Sequence, residues 1–352
     1  DIMENVVPAV KEAFKKKFSS EPSVIGRAPG RVNIIGEHTD YSGGFVLPVA
    51  IDRDIVFAAK ATGNKKISGY SIDFDETATC EVGSYDSAHE KQWFRYIMGV
   101  LSELEYEDAA IGGFSFAFGG TIPVGAGLSS SAALEMAVLT TLESLFNFRI
   151  DDVDAAMLCQ DAENNFVGMN CGIMDQFISR MGEENHALLI DCNDLSHRAV
   201  PINLPGFSWV VIDSKKRRGL VDTEYNKRRR ECEEALKAAQ SVLPDGEIET
   251  LQDVMIDDLL TVKHACNKTV FKRLKHVVTE NDRVLQAVQA LEDGDSGKLG
   301  KLLIASHESL RDDYEVSCEE LDMLVNILKD TEGVKGARLT GAGFGGCVIA
   351  LA

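Results

Sequence analysis

Basic residues are scarce in this sequence: 36 Lys plus Arg stand against 56 Asp plus Glu, for a net charge of −20. That deficit argues against a nucleic-acid or anionic-membrane surface, since both demand basic stripes. The eight cysteines, at 80, 159, 171, 192, 232, 266, 318 and 347, form no CxxC pair. None has zinc-ligand spacing with the seven histidines either, so the expectation is reduced thiols in a cytoplasmic protein. No apolar run approaches the ~20 residues of a membrane span. The opening segment reads as an amphipathic helix, with Met3, Val7, Val10, Phe14 and Phe18 on one side, and not as a secretory leader. Internal repeats and low-complexity tracts are absent. So is the GxxxxGK[ST] loop of P-loop nucleotide binders.

What is present fits a globular chain of two domains: 352 residues, 45% hydrophobic and 26% charged. Pro201 and Pro205 mark the expected boundary, giving domains over 1–203 and 204–352. In the first third, residues 30–35, 45–51, 54–61 and 113–118 read as short strands around a helix at 93–104. A helix from Ala132 to Phe146 is apolar on most sides and is expected to be buried. A second covers 153–166, breaks at 168–172 and resumes at 173–181, where Met174, Phe177, Ile178 and Met181 make an i, i+3, i+4, i+7 stripe. Strands follow at 186–191 and 208–213, then a long charged helix at 223–240 and further helices to 328. Short strands at 337–339 and 347–351 flank a glycine cluster.

Three glycine-rich segments could carry chemistry. Gly341 to Gly346 (GAGFGG) matches GxGxxG, but it leads into a strand and has no following helix to aim at a pyrophosphate, which excludes Rossmann-type binding. Pro123 to Ala133 (PVGAGLSSSAA) is more informative, because it places glycines and three serines where a helix begins. Free backbone N–H groups and the helix dipole there would bind an anion. A serine-capped helix after a tight turn reads the same way. The overall negative charge is no obstacle, being screened beyond roughly 8 Å, while each charge-assisted hydrogen bond contributes ~1.5–3 kcal/mol. Gly30 to Gly44 gathers Arg31, Glu37, His38, Asp40 and Tyr41 in a strand-to-loop segment, either a polyol grip or a polar hairpin tip. Asn170 to Gln176 sets Asp175 in the first turn of a helix, where the dipole favours an acid by roughly 0.3–1 kcal/mol. Basic clusters at 215–218 and 227–230 read as a phosphate site or as a solvated face around Tyr225.

Together these segments resemble the GHMP kinase family. GRVNIIGEHTDYSGGFVLP (30–48) and CGIMDQF (171–177) are similar to the galactokinase branch, as are TEYNKRRREC (223–232) and LRDDYEVSC (310–318). The resemblance runs from about residue 20 to the end. It implies an α+β fold of two domains, the N-terminal one similar to the ribosomal S5 domain 2-like fold, with the active site between them. It implies ATP phosphates on Gly125, Ala126, Gly127, Leu128, Ser129, Ser130 and Ser131, and Mg²⁺ on Ser131 and Glu163. Glu37, His38, Asp40, Gly172 and Tyr225 would hold the sugar, supported by the 341–346 loop. Asp175 would be the catalytic aspartate and Arg31 its partner arginine. Family members run some tens of residues beyond Leu351, so a C-terminal truncation is expected.

The implied reaction is ATP-dependent phosphorylation of the C1 hydroxyl of galactose by a soluble, monomeric cytoplasmic kinase. Arg31 would steady the transferring phosphoryl, and Asp175 would accept the hydroxyl proton. The helix N-terminus and Arg31 both favour an ionised Asp175, so proton transfer is expected late. N-acetylgalactosamine kinase activity is one alternative. A non-catalytic sugar and ATP sensor is another, and the intact serine loop and Asp175 weigh against it.

Overall fold

The computed structural model describes residues 6–107, 109–217, 221–244, 246 and 248–352. Met3 and Arg218, both part of the sequence expectations, lie outside them. Chain contacts divide the molecule into two units. The first comprises Asp1–Arg31, Ile51–Pro123 and Ser129–Met181, and the second Val32–Ala50, Val124–Leu128 and Gly182–Ala352. The polypeptide passes repeatedly from one to the other, which differs from the single cut after residue 203 expected from the two prolines.

In chain order the elements begin with α1 (Val6–Phe18), β1 (Val24–Asn33), β2 (Phe45–Val46) and β3 (Pro48–Ala61). Next come β4 (Lys66–Ser71), β5 (Glu76–Glu81), α2 (Gln92–Tyr106) and β6 (Phe114–Gly120). They continue with α3 (Ser130–Phe146), α4 (Asp152–Asp161), α5 (Met174–Met181), β7 (His186–Asp191), β8 (His197–Pro201) and β9 (Trp209–Asp213). The last group is α6 (Val221–Val242), α7 (Leu259–Val262), α8 (Lys268–Glu292), α9 (Ser296–Asp312), α10 (Glu319–Lys329), β10 (Gly336–Thr340) and β11 (Cys347–Leu351). No helix among the described residues is long and apolar enough to cross a membrane.

The first unit is built on a five-stranded sheet of order β1-β3-β6-β4-β5. β3 is one continuous strand where the sequence suggested two. It pairs antiparallel with β6 from Ile55↔Gly120 to Ala61↔Phe114. α1 buries Val10 and Phe14 against Val56, Ala58 and Ala117. A second apolar layer stacks Phe57 on Phe116, with ring centroids 4.7 Å apart. α3 buries residues all around its circumference, as a sequence apolar on most sides requires. After α4 the chain widens into a π-helical turn, Ala162–Val167, which ends at Gly168 with φ 89°. Such turns insert one residue into a helix and recur at functional sites.

The second unit holds two three-stranded sheets, β10-β11-β9 and β2-β7-β8. Both are antiparallel, with β7 and β8 paired from His186↔Pro201 to Ile190↔His197. Its core gathers Leu274 and Val277 of α8, Leu310 of α9, Tyr314, Leu339 of β10 and Val348 of β11. Side-chain caps start the two long helices: Asn267 accepts from Val270 N–H for α8, and Asp295 from Lys298 N–H for α9.

Candidate functional site

In the first unit the acid and the guanidinium meet. Arg31, near the end of β1, donates Nε to Asp175 Oδ1 at 2.8 Å and Nη2 to Oδ2 at 2.9 Å. This two-pronged geometry is the strongest form of an arginine–carboxylate pair. The Arg31 side chain is 7% exposed and that of Asp175 26%, so the pair is held by protein but can be reached. Asp175 sits in the first turn of α5, as expected from the sequence, while Gly172 is buried just before that helix.

A third donor reaches the same carboxylate. Ser129 Oγ donates to Asp175 Oδ2 at 2.5 Å. Ser129 is the N-cap of α3, yet it makes no side-chain cap bond and adopts a left-handed φ of 60°. The plain serine-capping alternative therefore does not hold at Ser129: its hydroxyl is diverted to Asp175, and side-chain capping from it leaves the first-turn N–H groups alone.

Beside this pair lies a buried carboxylate cluster. Glu163, inside the π-helical turn, is hydrogen-bonded to Ser131, and burial with the nearby Asp175 charge pushes its carboxyl up to about 7. Gln176 Nε2 donates to Glu163 Oε2 at 2.7 Å and to Glu135 Oε2 at 3.2 Å. Burial, followed by the Glu163 charge, holds Glu135 well above the usual carboxylate range. Glu135 Oε1 and Gln176 Oε1 are buried without hydrogen-bond partners. Sequence reading missed Glu135 and Gln176. An acid among the apolar residues 132–139 of α3 was the available signal for the first, because buried acids are rare unless paired.

The second unit carries the expected sugar motif. Glu37 is 2% exposed, and its contacts converge on one oxygen. Gly341 N–H donates to Oε1 at 2.6 Å, and Arg338 Nη2 lies 3.4 Å from the same atom. His38 meets the Tyr41 hydroxyl through Nδ1 at 2.8 Å and the Ala342 carbonyl through Nε2 at 3.0 Å. Tyr225 packs its ring 5.6 Å from His38 and 5.3 Å from Tyr41. Asp40 opens a short 3-10 turn, Asp40–Ser42, and stays half-buried. Glycine is required at two points here. Gly36 has φ 96°, and a Cβ there would come within 2.6 Å of the Phe45 carbonyl. At Gly343, with φ 81°, a Cβ would strike the Val316 carbonyl oxygen.

Residues 125–128 of the serine loop also belong to the second unit, where Cys347 Sγ donates to the Ala126 carbonyl at 3.3 Å. Gly125 and Gly127 both take positive φ, 71° and 76°. Of the basic clusters, Lys227 and Arg230 are exposed as a solvated face would be, but Arg228 is buried. It donates Nε to the Tyr314 carbonyl at 2.7 Å and Nη2 to the Glu315 carbonyl at 2.8 Å.

Comparisons with known proteins agree with this arrangement. Residues 12–61 match the galactokinase galactose-binding signature, 95–183 the GHMP kinases N terminal domain and 287–352 the GHMP kinases C terminal. A galactokinase of Chloroflexus aurantiacus is 45% identical over 340 residues, covering 96% of this chain and 86% of the relative. One of Clostridium beijerinckii is 44% identical over 351 residues, covering 99% and 89%. The crystal structure of Lactococcus lactis galactokinase complexed with galactose superposes with a TM-score of 0.94 at 37% identity, covering 99% of this chain and 90% of that one. A mevalonate kinase structure at 22% identity and TM-score 0.66 shares the fold. With the signature motif, both GHMP domains and near-full-length relatives in agreement, the chain belongs to the galactokinase family of GHMP kinases.

Proposed function

We propose that the chain transfers the γ-phosphoryl group of ATP to the anomeric C1 hydroxyl of galactose, giving galactose 1-phosphate and ADP. The observation that carries this reading is the two-pronged Arg31–Asp175 pair with Ser129 on the same carboxylate. It puts a proton acceptor, a fixed cation and a hydroxyl together at the N-terminus of α5. The family relationship supplies the sugar, since the Lactococcus lactis galactokinase structure is a complex with galactose.

Asp175 accepts the C1 hydroxyl proton as the sugar oxygen bonds to the γ-phosphorus and the bond to the β-phosphate oxygen breaks. Three donors already draw on its two oxygens. Its main work is to orient the hydroxyl, with the proton following late in a loose transition state. Arg31 neutralises charge on the equatorial phosphoryl oxygens. Asp40, Tyr225 and the second oxygen of Glu37 grip the sugar, with Gly172 lining the approach to Asp175. His38 shapes that pocket through its ring. Residues Gly125 to Ser131 receive the phosphates.

The donor set fits Mg²⁺. Glu163 and Ser131 offer oxygen ligands of the kind that cation takes beside phosphates and water, and Glu163 lacks a positive partner among its hydrogen bonds. When bound, Mg²⁺ neutralises charge on the β- and γ-phosphates. No cluster of three or more His, Cys, Asp or Glu side chains is assembled for a metal among the described residues, which favours a cation arriving with the nucleotide. All eight cysteines are free thiols, which supports a reducing, cytoplasmic setting.

The test is to incubate the protein with Mg-ATP and a panel of free hexoses that includes glucose and N-acetylgalactosamine. Phosphorus and carbon NMR then identify the product. Phosphate on C1 of galactose is expected. Phosphate on a C6 hydroxyl, or preference for N-acetylgalactosamine, overturns the assignment.

A further inference from the structure

Two segments that resemble the family, TEYNKRRREC (223–232) and LRDDYEVSC (310–318), remain without a role beyond Tyr225. They meet behind the sugar motif. Arg228 of the first binds the carbonyls of Tyr314 and Glu315 in the second. Tyr314 is fully buried, and its hydroxyl lies 2.6 Å from that of Tyr41. On its other side Cys232 Sγ sits 3.1 Å from the Tyr314 hydroxyl. A continuous chain thus runs Cys232, Tyr314, Tyr41, His38, Ala342.

The chemistry of the ends sets the direction of every proton in the chain. The Ala342 carbonyl can only accept, so His38 carries hydrogen on Nε2. His38 is 3% exposed and its ring lies 4.8 Å from that of Tyr314; a neutral imidazole carries one ring hydrogen, here the one on Nε2. Its Nδ1 then accepts from the Tyr41 hydroxyl, whose oxygen accepts from Tyr314, whose oxygen accepts from the Cys232 thiol. Burial pushes that thiol up to about 11, so it keeps its proton. The same segment grips the glycine-rich loop directly, because Phe344 N–H donates to the Val316 carbonyl at 2.7 Å.

We propose that Tyr314 is a positioning residue for the sugar site. Acting through Tyr41, it locks His38 in the tautomer protonated on Nε2, and so pins the Ala342 carbonyl and the loop whose Gly341 N–H holds Glu37. Both ring nitrogens of His38 are then spent on protein, and the sugar meets the ring and the neighbouring carboxylates instead. The proposal rests on the galactose kinase reading given above. Tyr314 touches no reacting atom, and its effect is on galactose affinity, with little on ATP.

The experiment combines imidazole nitrogen NMR of the intact protein with steady-state kinetics of Tyr314→Phe, Tyr41→Phe and the double variant. The wild-type His38 signal is expected to show hydrogen on Nε2 and a bare Nδ1. Tyr314→Phe should raise the galactose KM about three- to tenfold, the range for losing one buried hydrogen bond, and leave the ATP KM within about twofold. If the chain works as a unit, the double variant is no worse than Tyr41→Phe alone. Hydrogen on Nδ1 of wild-type His38, an unchanged galactose KM, or an equal loss for both substrates overturns the proposal. A wild-type protein that ignores galactose overturns the functional reading instead, and the NMR signal, which needs no variant to fold, still judges the tautomer.

Discussion

The two units differ in how they bury charge. In the second unit each buried acid has a cation: Glu37 lies against Arg338, and Glu280 accepts from Arg283 at 2.7 Å. Burial alone would raise the Glu280 carboxyl, but Arg283, His276 and Arg338 outweigh it and bring it down to about 2. In the first unit Glu143 likewise pairs with Arg180 at 2.9 Å, but Glu163 and Glu135 take no cation among their hydrogen bonds; they share the amide of Gln176, and both carboxyls are pushed up. The compensated acids need no further cation. On the reading proposed above, Glu163 is where a ligand would supply the missing charge. Asp175 lies between the two conditions, paired with Arg31 yet open enough to receive a hydroxyl.

That contrast breaks or sharpens under specific changes. The largest effect falls on Asp175→Asn, which keeps the shape but not the proton acceptor. Turnover should drop by about 10²–10⁴-fold while thermal melting still reports a folded chain. Wild-type turnover would remove Asp175 from the chemistry. Glu163→Gln comes next, with about a tenfold or greater rise in the Mg²⁺ concentration needed for half-maximal rate. Gln176→Leu, which frees the Glu163 carboxylate, should cost about 10–100-fold in the same quantity. An unchanged metal dependence in both would show that Glu163 is not a ligand.

Stability against pH separates the units more finely. Burial drops His276 to about 4, below its unfolded value of ~6.5. The unfolded chain therefore takes up a proton first, and the stabilisation present above pH ~6.5 is lost as pH falls towards 4. Replacing His276 with Gln should flatten that acid limb, by on the order of 2–3 kcal/mol at pH 4. Glu163 runs the other way. With its folded value above the unfolded one, the native state holds the proton, and metal-free stability falls as pH rises from about 4.5 through about 7. Wild-type-minus-variant differences in melting temperature against pH, for His276→Gln and Glu163→Gln, should show these opposite slopes. The smallest effect expected is at Gly125, exposed with φ 71°. Alanine there should cost about 1 kcal/mol and slow turnover only modestly.

Much of the fold was legible in the sequence where periodicity was undisturbed. The strand at 186–191 and the helices around α2, α3 and α6 follow directly from it. β4 and β5 were not legible because, Ile67 apart, their buried positions are small. A Cβ at Gly69 would run into the ring of Phe116, so the hydrophobe that covers β4 comes from its neighbour β6. β8 offers one fully buried residue, Val200, and no pattern. The π-helical turn has no propensity signal of its own. At the site, Asp175 in a first helical turn was readable, but its pairing with Arg31 joins positions 144 apart in sequence and came only through resemblance. Tyr314 and Glu135 act through contacts, which spacing does not encode.

Coordination of a metal requires a deprotonated carboxylate, so the contrast between the units can be read as protons released on binding. Calorimetry of Mg-ADP binding at pH 7, at saturating Mg²⁺ and in buffers of different ionisation enthalpy, measures that release for wild type and Glu163→Gln. With Glu163 at about 7 beforehand, wild type should release roughly half a proton more than the variant. Equal release from the two proteins would contradict the account.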